Sequence, residues 1–184
     1  IRVENPDDPE QSRLRAYDPK FADALMGISY MTQGANKRSI NLNLKKQAGR
    51  EIIRKMAETA DIMVENFRPG VMARLGLGYD TLKAIKPDLI YCAISGFGQD
   101  GPLRLNPAYD QIVQGLSGVM SVTGDAQSAP LRVGYPVADT MGGITAAYAI
   151  AAALFRRERD GEGEFIDVSM LESTLVAMGW VVSN

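Results

Sequence analysis

The sequence predicts an α/β fold, a parallel sheet flanked by helices. Three observations predict it. Residues 61–67 (DIMVENF) and 88–95 (DLIYCAIS) are short apolar runs of the kind that form buried strands. Patterns with helical spacing precede each run. The connections between them are short, as in repeated βαβ units with right-handed crossovers.

The first 20 residues are polar and carry Pro6, Pro9 and Pro19, so they read as a connector. Residues 39–44 (SINLNL) alternate polar and apolar, the period-two signal of a strand. Residues 46–59 follow with Ile52, Ile53, Met56 and, just beyond, Ala60 at helical spacing. After the strand at 61–67, Pro69 and Gly70 introduce a short helix to about Leu75, and a second helix covers 81–85. The next strand is 88–95. Residues 96–108 hold Gly96, Gly98, Gly101, Pro102 and Pro107, which mark a loop at the carboxyl end of a strand. In open α/β sheets ligands bind there. A helix is predicted over 109–120, then a Gly/Pro/Ser segment to Asp139. The Ala-rich stretch 140–157 is the clearest helix, with basic residues in its last turn and Gly161 beyond. A strand at 165–170 and a helix from Glu172 complete the pattern. No internal repeat or low-complexity tract is present.

The composition, 46% hydrophobic and 23% charged, suits a chain that buries a core. A net charge of -2 gives no footprint for nucleic acid or an anionic membrane, and neither partner is expected. The apolar stretch 141–155 is shorter than the roughly 20 residues a membrane span needs. The single cysteine, Cys92, lies in an apolar run and reads as a small buried hydrophobe, consistent with a cytoplasmic location. The chain starts at Ile1 without an initiator Met, in what reads as a strand end, so it is expected to be an internal fragment of a longer protein.

The sequence contains no histidine. Ser-His-Asp and Cys-His catalysis and histidine metal sites are therefore absent from these residues, and no metal site is expected. Chemistry here falls to carboxylates, Lys, Tyr, Arg or backbone groups. Gly96-x-Gly98-x-x-Gly101 has the spacing of a dinucleotide-binding loop. That mechanism needs the third glycine to open a helix, and an acid about 20 residues on for the ribose; Pro102, Pro107 and the sequence beyond offer neither. Ser95 is not a nucleophile elbow, because Ala93 and Phe97 occupy the glycine positions.

Asp139 ends the segment VGYPVAD directly before the Ala-rich helix. Its plain structural role is an N-cap. A carboxylate so placed is stabilised as an anion by the helix dipole and free N–H groups. Gly142 and Gly143 leave the first turn bare for a bulky substrate, and an accessible carboxylate is a competent nucleophile toward an activated acyl group. Arg68 and Arg74, with Lys45, are either solvated cations or phosphate ligands. Asp110 reads as a first-turn acid of its helix.

Six segments in register, NKRSINLNLK (36–45), ADIMVENFRPG (60–70), ISGFG (94–98), PAYD (107–110), GYPVADTMGG (134–143) and DVSMLE (167–172), resemble the class III CoA-transferase, or CaiB/BaiF, family, and most of all its formyl-CoA:oxalate type. The resemblance implies a Rossmann-like parallel sheet flanked by helices, mainly the CoA-binding α/β domain. The family's N-terminal start and its C-terminal small domain would lie outside residues 1–184. It implies that Asp139 is a nucleophile carrying acyl and then CoA. It further implies CoA contacts at Leu42, Asn43, Leu44 and Lys45, at Asn66, Phe67, Arg68 and Arg74, and at Pro107, Ala108, Tyr109 and Asp110. Acyl-CoA would be a substrate rather than a tightly bound cofactor, a small carboxylic acid the acceptor, and the full-length protein an interlocked homodimer. Asn5 stands where many members carry an Arg. A related α-methylacyl-CoA racemase activity would need a His where this chain has Tyr109, and a phenol with a pKa near 10 is a poor base at neutral pH. A CoA-binding module without chemistry is the third reading.

Overall fold

A computed structural model of the chain describes residues 1–183. It divides into two compact units, residues 1–53 and the described residues from 54 onward.

In the first unit, residues 1–20 depart from the expected connector. Strand β1 (Arg2–Glu4) pairs in parallel with β2 (Ser39–Asn41), and helices α1 (Gln11–Leu14), α2 (Pro19–Asp23) and α3 (Ile28–Gln33) lie between them in sequence. These elements are held by side chains more than by propensity. Glu4, only 8% exposed, accepts from Arg13 Nε at 2.6 Å, Arg13 Nη2 at 2.9 Å, Ser39 Oγ at 2.6 Å and Tyr30 Oη at 3.1 Å. The Arg13 guanidinium, aided by these hydroxyls, lowers the Glu4 pKa to about 2 against the opposing effect of burial. Arg13 also lies over the Tyr30 ring, 3.6 Å from its centroid. The strand expected at 39–44 thus stops at Asn41 and belongs to a small sheet of its own. Beyond it, Asn43 turns the chain: its Oδ1 accepts from the Lys45 amide at 2.9 Å. Helix α4 (Gln47–Ala57) continues into the second unit.

The second unit matches the expected α/β pattern closely. Strands β3 (Ile62–Glu65), β4 (Ile90–Ser95) and β5 (Glu164–Ser169) form a parallel sheet in the order β3-β4-β5. Helices α5 (Val71–Arg74) and α6 (Tyr79–Ile85) connect β3 to β4; α7 (Asp110–Ser117) and α8 (Val137–Asp160) connect β4 to β5. Helices α9 (Met170–Ala177) and α10 (Gly179–Ser183) follow. Only Ile94 of β4 escapes full burial, as expected for a central parallel strand covered on both faces. One face packs Cys92 and Val168 against Ala146 of α8, with Ile94, Ile150 and Ile166 around them. On the other, Tyr91 and Phe165 meet Tyr79 of α6, with ring centroids 5.2 to 6.1 Å apart. Cys92 is fully buried, and burial pushes its thiol up to about 11, which makes it the inert hydrophobe the sequence suggested.

Helix α8 begins three residues earlier than expected. Its first helical residue is Val137 and Pro136 occupies the cap position, so Asp139 is the third residue of the helix and not its N-cap. Pro136 itself, at φ -74° and ψ 75°, is not helical. At 24 residues α8 is also long and apolar enough, by length and composition, to cross a membrane, which the 141–155 stretch alone did not suggest. In the fold it buries one narrow stripe, Ala138, Gly142, Ala146 and Ala153, and leaves Ile144, Tyr148 and Phe155 exposed. At its far end Arg157 bonds Asp61 Oδ1 at 2.9 Å and the Asp88 carbonyl at 3.2 Å, tying the helix to the chain just before β3 and β4.

Candidate active site

The carboxyl ends of β3, β4 and β5 lie at one edge of the sheet, where Glu65, Ala93 and Asp167 stand side by side in register. The loop after β4 is not helical, as its prolines required, and it returns to the sheet: a Cβ on Gly96 would lie 2.1 Å from the Ala108 methyl. That approach brings Pro107, Ala108 and Tyr109 back beside the end of β4. Gly98 and Gly101 have φ of +81° and +87°, the left-handed conformation that favours glycine. Asp167 Oδ2 accepts from the Gln99 amide at 2.8 Å and fixes the loop to β5.

Asp139 and Asp110 occupy opposite situations. Asp139 is exposed in the first turn of α8. Asp110 is only 6% exposed at the start of α7. It is more than a first-turn acid of its own helix. Its Oδ1 accepts from the amides of Ala138 at 2.8 Å and Asp139 at 3.2 Å, so Asp110 caps α8 from a different element. Its Oδ2 accepts from Gln114 Nε2 at 2.6 Å. Gln114 is completely buried; its Oε1 accepts from the Val133 amide at 2.8 Å, and its Nε2 also reaches the Tyr135 carbonyl at 3.3 Å. One glutamine thereby holds the capping acid and the segment that leads into α8.

This arrangement reverses the expectation that the helix N-terminus eases ionisation of Asp139. The Ala138 and Asp139 amides are already engaged by Asp110. Although the residue as a whole is exposed, partial desolvation of its carboxyl by the surrounding chain, and secondarily the Asp110 charge, raise the Asp139 pKa above its ordinary value of 3.8. A carboxylate held this way is more basic, and hence more nucleophilic once ionised. Gly142 faces inward, with its missing Cβ 3.1 Å from Met170 Cγ, so it serves packing between α8 and the start of α9. Gly143 has open space around it and is the bare position beside Asp139.

The other predicted site residues fall in both units. In the second, Asn66, Phe67 and Arg68 follow β3 and are exposed, as is Arg74 at the end of α5. The Asn66 amide is not free: it donates to the Ile94 carbonyl at 2.9 Å, fastening the segment after β3 to β4. Pro107 and Tyr109 are exposed, Tyr109 at 76%, and Ala108 is partly covered. In the first unit Leu42 is buried, Asn43 and Leu44 partly so, and Lys45 exposed. Arg50 Nη1 there holds the Leu44 and Lys45 carbonyls at 3.2 and 2.9 Å. Sequence reasoning did not single out Gln114, whose signal was its place four residues after Asp110 on one helix face. It also passed over Glu65, which accepts from the Phe67 amide at 2.6 Å and whose pKa burial raises. Among the described residues no group of three or more His, Cys, Asp or Glu is arranged to hold a metal ion.

The site is thus a parallel α/β sheet whose long helix α8 presents an exposed carboxylate, Asp139, in its first turn. The chain belongs to CoA-transferase family III, whose model it matches over residues 1–184. It is 47% identical over 176 residues to the acetyl-CoA:oxalate CoA-transferase of Acetobacter aceti, covering 95% of this chain and 44% of that protein. It is 41% identical over 140 residues to a formyl-CoA:oxalate CoA-transferase of Streptomyces avermitilis, covering 76% of this chain and 34% of the relative. A solved CaiB/BaiF family protein from Brucella suis superposes with a TM-score of 0.88 at 34% identity, over 98% of this chain and 49% of the other. The chain thus spans less than half the length of these relatives.

Proposed function

We propose that the full-length protein transfers coenzyme A from an acyl-CoA to a small carboxylic acid, with Asp139 as the nucleophile. The observation that carries this reading is an exposed carboxylate in the first turn of α8, one turn from the open Gly143. An Asp139 oxygen attacks the thioester carbonyl, the C–S bond breaks, and CoA leaves as the thiolate, giving an aspartyl-acyl anhydride. The thiolate attacks the Asp139 carbonyl and releases the donor acid, leaving an aspartyl-CoA thioester. The acceptor carboxylate attacks that thioester and frees the thiolate again. The thiolate then takes the acceptor acyl group from the second anhydride and restores Asp139. No proton is gained or lost over the cycle, so the lack of histidine in this region is no obstacle. The relatives named for oxalate support a small dicarboxylate as acceptor.

Hydroxylamine added to the full-length protein with acyl-CoA should convert Asp139 to its hydroxamate, read by peptide mass spectrometry. Turnover with Asp139 unmodified refutes the mechanism. Solvent deuterium entering the α-position of the acyl group points instead to a racemase.

Arg68 and Arg74 are proposed to hold CoA phosphates, with Asn66, Phe67, Pro107, Ala108 and Tyr109 lining the nucleotide and pantetheine path. Each Arg→Ala change should raise KM for acyl-CoA roughly tenfold with kcat little altered, as loss of one charge-assisted hydrogen bond implies. An unchanged KM removes that residue from the contact set. Lys45, with Leu42, Asn43 and Leu44 in its turn, carries the same proposal and the same test.

A further inference from the structure

We propose that Gln114 is a positioning residue for the nucleophile, locking the Asp110 carboxylate onto the first-turn amides of α8 and fixing the segment that leads into that helix. The inference rests on the reading of Asp139 as nucleophile and says how its place is held.

Helix α8 has Pro136 at its cap position and no side-chain cap of its own. Its first-turn N–H groups need an acceptor, or the turn frays. Asp110 supplies that acceptor across 28 and 29 residues of sequence, to Ala138 and Asp139. A buried carboxylate is held in place only if its remaining lone pairs are engaged. Among the described residues the side-chain donor that meets Asp110 is Gln114, at 2.6 Å. The same side chain takes the Val133 amide on its other end at 2.8 Å. Two hydrogen bonds therefore run from Gln114 to the backbone N of Asp139. The orientation of the glutamine amide is set by both ends at once: a donor must face Asp110 and an acceptor must face Val133. A glutamine required only to fill a core would not need that polarity, and a buried amide with unmatched ends is costly. Loosening it frees the α8 first turn, and a displacement of about 1 Å at a reacting group lowers rate on the order of 100-fold.

The test exchanges the polarity of the pair in the full-length protein. Gln114→Glu keeps shape and the acceptor for Val133 but sets a second carboxylate against Asp110. Asp110→Asn keeps an acceptor for the α8 amides but sets a donor against the Gln114 donor. Each single change should lower kcat on the order of 100-fold with KM for acyl-CoA within about twofold. The combination Asp110→Asn with Gln114→Glu restores a donor facing an acceptor, with roles exchanged. It should recover at least about tenfold in kcat over either single variant, short of wild type because the Tyr135 contact is lost. Singles with wild-type kcat, or a double variant no faster than the better of its singles, overturn the inference. If a single variant fails to fold, the double decides: folded and active supports the proposal, and folded but inactive or unfolded overturns it. The hydroxylamine experiment run alongside separates the two levels. A wild-type protein that turns over without an Asp139 adduct overturns nucleophile and positioning together. An adduct in wild type that forms equally fast in every variant overturns the positioning alone.

Discussion

Asp139→Asn in the full-length protein is expected to lower CoA transfer about 1,000-fold or more while leaving the fold intact. The amide cannot attack a thioester, and no neighbouring acid can substitute: Asp110 is buried, with both oxygens engaged by amides. Helix α8 does not depend on the Asp139 side chain, because its amides are capped by Asp110. Loss of an N-cap would have destabilised the protein by about 1 kcal/mol. Here the sign is opposite. The folded-state pKa of Asp139 lies above its ordinary 3.8, so the folded protein binds this proton more tightly than the unfolded chain does. The ionised carboxylate therefore opposes folding, fully at pH above the raised pKa and not at all below 3.8. Asp139→Asn should then melt at or above the wild-type temperature at neutral pH, and the difference should vanish in acid. For the same reason the acid limb of the wild-type kcat/KM profile should fall at a pH above 3.8. Residual transfer within tenfold of wild type, or a marked loss of stability at neutral pH, contradicts the assignment.

Much of the second unit was legible in the sequence because its strands are buried on both faces. A central parallel strand such as β4 is apolar without interruption, and DLIYCAIS has few other ways to fold. Residues 1–38 of the first unit were not legible, for a physical reason. Strands of three residues and helices of four to six carry no period. They are fixed by contacts that Glu4 makes to residues 9, 26 and 35 positions away, and these leave no local pattern. The site shows the same division. Asp139 stood out because it precedes an Ala-rich helix, yet its place in the first turn was misjudged: the capping acid comes from α7 and only the fold brings it there. Gln114 stayed hidden because an isolated glutamine in a helix ordinarily faces water. Its role follows from complete burial, which a single sequence does not display.

Gly96→Ala is expected to reach the site through that same fold. Gly96 has no positive φ, so the backbone itself accepts alanine. The obstacle is contact. The new methyl would lie 2.1 Å from the Ala108 methyl, where ordinary contact begins near 3.4 Å. Gly96 cannot retreat easily, since it directly follows β4 and its carbonyl accepts from the Leu171 amide at 3.0 Å. The segment that moves is therefore 107–110, which carries Tyr109 and the capping Asp110. Overpacking of this kind destabilises by about 1–3 kcal/mol. Because Asp110 holds the α8 first turn, kcat should fall as well, on the order of 100-fold. Ala108→Gly in the same chain removes the opposing methyl and should return both the denaturation midpoint and kcat most of the way toward wild type. Loss of stability without loss of kcat would separate the loop from the nucleophile. Failure of Ala108→Gly to rescue would mean that the contact between residues 96 and 108 is not what seats Asp110.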